Sequence, residues 1–248
     1  MQRYFLKNDQ FQDDQVTLID EDAHHISRVM RMTPGDQIIV CNEEKACFYL
    51  NLTNVESNQV SGTIVESIEA NTELPVQVTI AQGLPKADKF EWVIQKGTEC
   101  GASQFVPVQM DRCVVKLDAK KEMKKIERWN KIAKEAAEQS HRQALPHVHA
   151  VQTFKQFLDF ASGYDVCLFA YEETAKQGEL SQLRQTLDKI KPNSSILVLV
   201  GPEGGISEKE VDLLSKNGFV ACALGPRILR TETAPIYVLS AISFALEL

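Results

Sequence analysis

The sequence predicts an α/β protein with two parts: a small N-terminal β-barrel and a larger C-terminal domain on a mostly parallel sheet. The first 70 residues alternate apolar and polar side chains as strands do, whereas from Val76 onward strand-like runs alternate with helix-like ones. A length of 248 residues is enough for one or two domains with a real core. No apolar run approaches the roughly 18 residues that span a membrane, and the start resembles no signal peptide, so we expect a cytoplasmic protein.

The expected barrel, residues 1–70, contains four strand-like segments separated by turn signals. They read RYFL, DQIIVCN, ACFYLNLTNV and QVSGTIVESI, and a TPGD turn at residues 33–36 leads into the second. One helix-like stretch, DAHHISRVMRM, precedes that turn. Short alternating strands with turns of this kind are typical of a small β-barrel.

A polar segment that ends in proline, residues 69–75, is the expected linker, and the second domain spans residues 76–248. Strand-like VQVTIAQG leads to helix-like DKFEWVIQKGTECG, to FVPVQM, and to a long amphipathic helix from about residue 120 to 142. The segments YDVCLFAY, SILVLV and FVACALG follow, and a helix-like stretch comes after each of them. This alternation indicates a parallel α/β sheet.

The cysteines and histidines lack the spacing of a metal site or a disulfide scaffold. None of the six cysteines belongs to a C-x-x-C pair, and no carboxylate or cysteine stands at a matching offset from His147 and His149. We therefore expect all six thiols to be reduced and structural, the histidines to lie on the surface, and no metal to be bound.

The net charge of −7 is unevenly distributed along the chain. Residues 1–75 carry 5 basic and 13 acidic side chains, residues 84–146 carry 13 and 9, and residues 147–248 carry 9 and 12. Only the middle block is basic, and a local patch rather than the net charge decides whether a surface binds nucleic acid. The alternative for its KKEMKKIERWNK segment is a solvated lysine-rich helix face.

The stretch LVGPEGGIS at residues 199–207 continues an apolar strand and is rich in glycine. Ser207 and Glu210 have the spacing of a capping box, so a helix begins directly after the glycines. A strand, a glycine-rich turn and a helix N-terminus place bare amides at the carboxyl end of a parallel sheet, where α/β folds bind ligands. Neither phosphate-binding glycine motif is matched, so we expect no nucleotide held by its phosphates. A tight turn without a ligand is the alternative.

A second stretch, LGPRILRTETA at residues 224–234, follows the next strand along the chain. It repeats the Gly-Pro pair and then brings together two arginines, one glutamate and two threonines. We take the two strand ends as neighbours, which predicts one pocket with two walls. The apolar pair Ile228 and Leu229 suits a flat aromatic ring, and Arg227 and Arg230 suit an anion or a polarised base.

Together, LVGPEGGIS and LGPRILRTETA resemble the ribosomal RNA small-subunit methyltransferase E family, which methylates N3 of a uridine in small-subunit ribosomal RNA. The likeness runs nearly end to end, because HHISRVMRMTPGD resembles the family's N-terminal signature and DRCVVK and EAAEQSHR match its central motifs. One departure is TECGA at residues 98–102, where the family usually has T-E-L-G-V. That change affects packing and leaves Glu99 and Gly101 in place.

The resemblance implies a fold and a cofactor that spacing alone does not reveal. The family belongs to the SPOUT class, whose C-terminal domain carries a deep trefoil knot despite the general rule against threaded chains. Its N-terminal barrel resembles the PUA RNA-binding fold, and the enzyme is an obligate homodimer with active sites near the subunit interface. S-adenosylmethionine lies in the knotted loops and no metal is needed. The implied cofactor residues are Val200, Gly201, Gly204, Gly205, Leu224, Gly225, Ile228, Leu229 and Thr233.

The chemistry of the implied reaction gives roles to three charged residues. Uridine N3 becomes nucleophilic only as its proton leaves, so a guanidinium is needed to stabilise the anion and a carboxylate to take the proton. We assign Arg230 to the first role and Glu232 to the second, with Glu203 as the competing base. The alternative for Glu203 is that it fixes its own loop by accepting backbone N–H bonds.

The RNA, expected in assembled small subunits, has to meet basic residues of the middle block and the barrel. The candidate contacts are Arg3, Arg28, Arg31, Lys86, Lys89, Arg112, Lys116 and Arg142. Two rival functions are a non-catalytic RNA-binding protein that keeps the knot for dimerisation and a dinucleotide-dependent enzyme. The paired glycine loops with Arg230 and Glu232 argue against the first rival, and the missing G-x-G-x-x-G fingerprint argues against the second.

Overall fold

The computed structural model describes residues 1–69, 71–173 and 181–248, and the chain divides into two compact units. The N-terminal unit comprises Met1–Glu73 and Ala137–Leu145, and the C-terminal unit comprises Leu74–Ala136 and Pro146–Leu248. The N-terminal unit therefore also contains residues 137–145. The predicted domain boundary between residues 70 and 76 had put these residues in the C-terminal domain.

A six-stranded sheet forms the N-terminal unit, in the order β1-β4-β5-β6-β3-β2. Its strands are β1 (Arg3–Phe5), β2 (Phe11–Gln12), β3 (Gln15–Ile19), β4 (Gln37–Cys41), β5 (Cys47–Val55) and β6 (Gln59–Ile68). The pair β1–β4 is parallel and the other pairs are antiparallel. The four predicted strands are present, whereas β2 and β3 were not predicted. A closed barrel needs its two edge strands to pair. The edge strands here are β1 and β2, and no ladder among the described residues joins them.

The predicted helix of this unit is present in two parts. Helix α1 (Asp20–His24) passes directly into a π-helix, His25–Val29. The buried Ile26 of the π-helix packs with alternate residues of the strands, such as Val16 and Leu18 of β3, in one apolar core. Because alternate side chains of a strand point to opposite faces, this core leaves polar residues such as Gln15 and Thr17 off the buried face.

The C-terminal unit is built on a parallel sheet of seven strands within the described residues, as the alternation of strands and helices predicted. The main path is β10-β8-β7-β12-β11-β13, with β9 beside β8, and every pairing is parallel. The strands are β7 (Gln77–Gly83), β8 (Gln104–Gln109), β9 (His147–Val148), β10 (Gln152–Thr153), β11 (Val166–Ala170), β12 (Ser195–Val200) and β13 (Val220–Cys222).

Six helices accompany these strands in the described part of the chain: α2 (Lys89–Glu99), α3 (Ala119–Gln139), α4 (Phe154–Ala161), α5 (Gln182–Leu187), α6 (Glu208–Lys216) and α7 (Thr233–Glu247). Helix α3 ends at Gln139, before the predicted end at residue 142, and α4 was not predicted. Helix α2 packs against α7. Gly97 allows α2 to approach the sheet closely, because a Cβ there would lie 2.7 Å from Cε1 of Phe105 on β8.

The prediction that all six cysteines are reduced is wrong for two of them. Cys41 and Cys47 form a disulfide. They end β4 and begin β5 and pair directly across that hairpin, so the bond reflects strand register, which a search for short cysteine motifs does not detect. The other four are free thiols. Burial raises the pKa of Cys222 to about 12 and that of Cys167 to about 11, so both thiols stay protonated at neutral pH.

Candidate active site

A cavity of about 930 Å³ lies at the carboxyl ends of β11, β12 and β13, within the size range of small-molecule sites. Its walls are the loops after these strands, at residues 170–173, 200–206 and 224–231. The prediction that β12 and β13 are neighbours is wrong, because β11 lies between them. The pocket therefore has a third wall, with Ala170 and Tyr171, which chain order alone could not reveal.

The glycine-rich loop after β12 is shaped by close backbone contacts. Gly205 has a φ of 73°, a left-handed conformation that favours glycine. A Cβ at Gly204 would lie 2.9 Å from Cβ of Arg112 and 3.2 Å from its carbonyl oxygen. The close contact with Arg112 thus requires a residue without a side chain at Gly204. The sequence alone did not show this requirement.

The loop after β8 supports the start of α6. The predicted capping box is confirmed, because Oγ of Ser207 accepts the backbone N–H of Glu210 and the Glu210 carboxylate accepts that of Ser207. The other Glu210 oxygen accepts the backbone N–H of Asp111 at 2.8 Å. Arg112 then donates from Nη1 to the carbonyl oxygen of Gly204 at 3.0 Å. These bonds tie the glycine loop and the start of α6 to the loop after β8.

A buried side-chain pair joins the loops after β7, β12 and β13. Nε2 of Gln82, which is fully buried at the end of β7, donates to Oγ1 of Thr231 at 2.8 Å. That hydroxyl donates to the carbonyl oxygen of Gly201 at 2.6 Å. Sequence reasoning missed both residues. The available signal was a glutamine within the otherwise apolar end of a buried strand.

Lys89, the first residue of α2, brings the two candidate bases together. Its Nζ lies 2.9 Å from Oε1 of Glu203 and 3.2 Å from Oε2 of Glu232. Glu203 also accepts the backbone N–H of Lys86 at 3.1 Å, so it ties its loop to the segment before α2. The prediction that Lys89 contacts RNA did not include this cluster of carboxylates.

The bonds to Glu203 stabilise its ionised form. Partial burial raises the pKa of Glu203, but the bond from Lys89 and bonds from backbone N–H groups outweigh burial and hold that pKa below its ordinary value. The hydrogen bond to Glu203 raises the pKa of Lys89, and the bond to Glu232 adds to it. A carboxylate with a lowered pKa is a weaker base. Glu203 is accordingly suited to an ionic, structural role.

The predicted cofactor residues lie together with one exception. Thr233 begins α7 and is absent from the cavity lining, whereas the other eight predicted residues line the cavity. Ile228 is 77% exposed, so the described residues leave this part of the wall uncovered. Arg230 and Glu203 line the cavity. Glu232 is half-buried beside the cavity, where it contacts the lining residue Lys89.

The predicted RNA contacts do not form one group. Arg28, Arg31, Lys86 and Lys116 are exposed, while Lys89 and Arg112 line the cavity. Arg3 and Arg142 are only 5% and 3% exposed. Arg3 donates to the carbonyl oxygen of Arg142 at 2.6 Å, and Arg142 forms an ion pair with Glu73. A buried guanidinium offers no surface to a phosphate, so we leave these two arginines out of the RNA-binding set.

The described residues lack two features, a cluster of metal ligands and a membrane-spanning helix. They contain no group of three or more His, Cys, Asp and Glu side chains placed to hold a metal ion. None of their helices is long and apolar enough to cross a membrane.

Two family models match most of the chain. Residues 72–243 match an RNA methyltransferase domain, and residues 18–49 match an RNA methyltransferase PUA domain. The chain is 50% identical over 251 aligned residues to ribosomal RNA small subunit methyltransferase E of Bacillus subtilis, covering 100% of this chain and 98% of the relative.

Two solved structures with S-adenosylmethionine are similar over nearly the full length. The ribosomal RNA small subunit methyltransferase E of Neisseria gonorrhoeae, bound to S-adenosylmethionine, is 29% identical with a TM-score of 0.86, and the match covers 98% of this chain and 97% of that one. A Legionella pneumophila methyltransferase in complex with the same cofactor is 30% identical with a TM-score of 0.83 over 98% and 97%.

Proposed function

The chain belongs to the ribosomal RNA small subunit methyltransferase E family, and we propose that it methylates N3 of one uridine in small-subunit ribosomal RNA. It is a methyltransferase with an N-terminal PUA-like domain, and its methyl donor is S-adenosylmethionine. The observation that carries the uridine proposal is the cavity at the ends of β11, β12 and β13, where the guanidinium of Arg230 and the carboxylate of Glu203 lie with two glycine loops.

The residues around the cavity fit S-adenosylmethionine. Leu224, Ile228 and Leu229 offer an apolar wall for an adenine ring, and Gly201 and Gly225 expose backbone beside it. Gly225 has a φ of 87°, which favours glycine at this turn. When bound, the cofactor supplies a methyl group on a positively charged sulfur, which makes that methyl electrophilic. The protein's task is then to align the uridine and to raise the electron density at N3.

Arg230 and Glu232 are the residues that we assign to the nucleophile. The guanidinium of Arg230, exposed at the cavity, favours the uridine anion over the neutral base. The carboxylate of Glu232 takes the N3 proton. Glu203 is less suited to that step, because Lys89 and the Lys86 N–H occupy it and its pKa is lowered.

The RNA-binding residues that we retain are Arg28, Arg31, Lys86 and Lys116, all exposed, with Arg112 at the cavity. Arg28 belongs to the π-helix, and Arg31 follows it closely. We propose that the N-terminal domain, residues 1–70, binds the assembled small subunit and that residues 76–248 form the methyltransferase domain. The substrate implies a cytoplasmic location, and we propose that no metal takes part.

Two further properties of the family belong to the proposal, a trefoil knot and a homodimer. Strand β12 lies between β7 and β11 and pairs with both, although it follows both of them in the sequence. The chain therefore returns to the middle of the sheet, and such a path supports a knot. Helices α2 and α7 leave Trp92, Tyr237 and Phe244 43%, 40% and 72% exposed. Aromatic side chains left in water on two packed helices support a subunit interface.

Incorporation of labelled methyl groups tests the function. Small subunits from a strain that lacks the enzyme, and naked small-subunit RNA, would each be incubated with the protein and labelled S-adenosylmethionine. We expect close to one methyl group for each assembled subunit and little on naked RNA. No incorporation into either substrate, with the cofactor bound, would contradict the proposal.

A further inference from the structure

The ammonium of Lys89 is shared by two carboxylates from different loops. Glu203 comes from the loop after β12, and Glu232 directly precedes α7. At 2.9 and 3.2 Å from their oxygens, Nζ is the bridge between the two loops, and the Lys86 N–H adds a third link to Glu203. Three segments that are distant in sequence meet at this one cation.

The place of Lys89 in α2 needs an explanation other than helix stability. A positive charge at the first residue of a helix is unfavourable, because the N-terminal end of the helix dipole is itself positive. Asp88, the residue before it, faces Lys125 of α3 at 3.7 Å. The charge of Lys89 is therefore balanced by Glu203 and Glu232.

We propose that Lys89 is a positioning residue of the methyl-transfer site, whose ammonium holds Glu203 at the cavity and Glu232 beside it on one cation. This inference rests on the proposed function. It replaces the earlier prediction that Lys89 contacts an RNA phosphate, since its ammonium is already engaged by two carboxylates.

Charge explains why the cation matters. Without Lys89, two carboxylates would lie close together with no shared partner, and like charges disfavour double ionisation. One of them would then hold a proton at a pH where the wild-type pair holds none. In the described structure, the other charged side chains that line the cavity are Arg112, Arg227, Arg230, Glu172, Glu173 and Glu208. None of these cations is as close to both carboxylates as Lys89 in the described structure.

The test compares Lys89→Met with Lys89→Arg and with Lys96→Met as a matched control. Lys96 lies on the same helix and pairs with Glu99 at 2.8 Å, away from the cavity. Single-turnover methylation of small subunits would be measured across a pH series at saturating cofactor and subunits. We expect Lys89→Met to be roughly ten- to a hundredfold slower near neutral pH, a smaller loss than most of the 10²–10⁴-fold that a positioned acid or base contributes. Its rate should recover as the pH rises, Lys89→Arg should restore much of the rate, and Lys96→Met should behave as wild type.

A double variant keeps the inference falsifiable if loss of Lys89 also affects folding. Glu203→Gln removes the like charge, so Lys89→Met with Glu203→Gln should be faster than Lys89→Met alone. A double variant that is equally slow or slower would overturn the inference. So would a Lys89→Met protein that reacts normally at saturation but shows weaker RNA binding with a salt slope smaller by about one, which is the mark of a phosphate contact. If the wild-type protein fails to methylate the subunits, the proposed function fails instead.

Discussion

Arg230 has a fixed backbone and an exposed side chain, which suits a residue that acts on a substrate. Its carbonyl oxygen accepts the N–H groups of Thr233 and Ala234 at 2.9 and 3.1 Å, at the start of α7. The side chain extends from this anchored position into solvent at the cavity. A positive charge at this position stabilises an anion that develops in the cavity.

Replacement of Arg230 should therefore affect the rate more than binding. We expect Arg230→Ala to lower single-turnover methylation by roughly a hundred- to a thousandfold, or about 2.7–4 kcal/mol, with little change in the affinity for cofactor or subunit. Higher pH should partly rescue it, because more of the uridine is then already ionised, and Arg230→Lys should keep part of the rate. A variant that loses affinity but turns over normally at saturation would make Arg230 a binding residue.

Gly204 allows a direct test of the loop around the cofactor. We expect Gly204→Val to abolish cofactor binding, because its side chain collides with the backbone of Arg112 and displaces the glycine loop. The matched control is Gly163→Ala, since a Cβ there meets nothing within 4 Å. Isothermal titration with S-adenosylmethionine measures both variants. An unchanged affinity in Gly204→Val would show that this loop does not form the cofactor site.

Between elements, the carboxylate of Glu73 holds the stretch after α3 within the N-terminal unit. It accepts Nε of Arg142 at 2.8 Å and the backbone N–H of Gln143 at 2.9 Å. Burial raises the pKa of Glu73, but the bonds and charge of Arg142 and the two backbone N–H bonds outweigh it and hold the pKa below its ordinary value. The ion pair of Glu73 and Arg142 stabilises the fold at pH values above the ordinary carboxyl pKa. This stabilisation is lost as the pH falls through the lowered pKa of Glu73.

Removal of Arg142 should destabilise the protein rather than weaken RNA contacts. We expect Arg142→Ala to lower the free energy of unfolding by about 3–5 kcal/mol at neutral pH, since a buried carboxylate loses its cation. The difference from wild type should shrink in acid, where Glu73 is protonated. Urea unfolding at pH 7 and at a series of acid pH values that passes below the lowered pKa of Glu73 measures it, with the exposed Arg184→Ala as the control. Normal stability with weakened RNA binding would restore the original prediction for Arg142.

The elements that sequence could predict are those with a local pattern. Alternation gave the parallel sheet, and Ser207 with Glu210 gave the start of α6, because both signals lie within a few residues. The third wall at Tyr171, the Cys41–Cys47 bond and the position of Lys89 each depend on which strands and loops become neighbours. Arg142 shows the same limit, since a charged residue at the end of an amphipathic helix looks exposed until its buried partner is known.

For the whole molecule, the net charge of −7 conflicts with an RNA substrate unless a few arginines dominate the contact. We expect RNA affinity to fall with salt because counterion release depends on local phosphate contacts. The double variant Arg28→Ala and Arg31→Ala should reduce the slope of log affinity against log salt by about two. Filter binding across a salt series, with cofactor affinity as the control, measures this. An unchanged slope would place the RNA contacts elsewhere.

The central claim is that this cavity methylates N3 of a uridine in the small subunit, and mass spectrometry of the product tests it most directly. Subunits from a strain without the enzyme would be methylated by the wild-type protein and by Arg230→Ala, and the RNA digested to nucleosides and fragments. The account predicts N3-methyluridine at a single position with wild type and a greatly reduced amount with the variant over the same time. A methyl group on a carbon atom, on a 2′-hydroxyl or on a base other than uridine would contradict it.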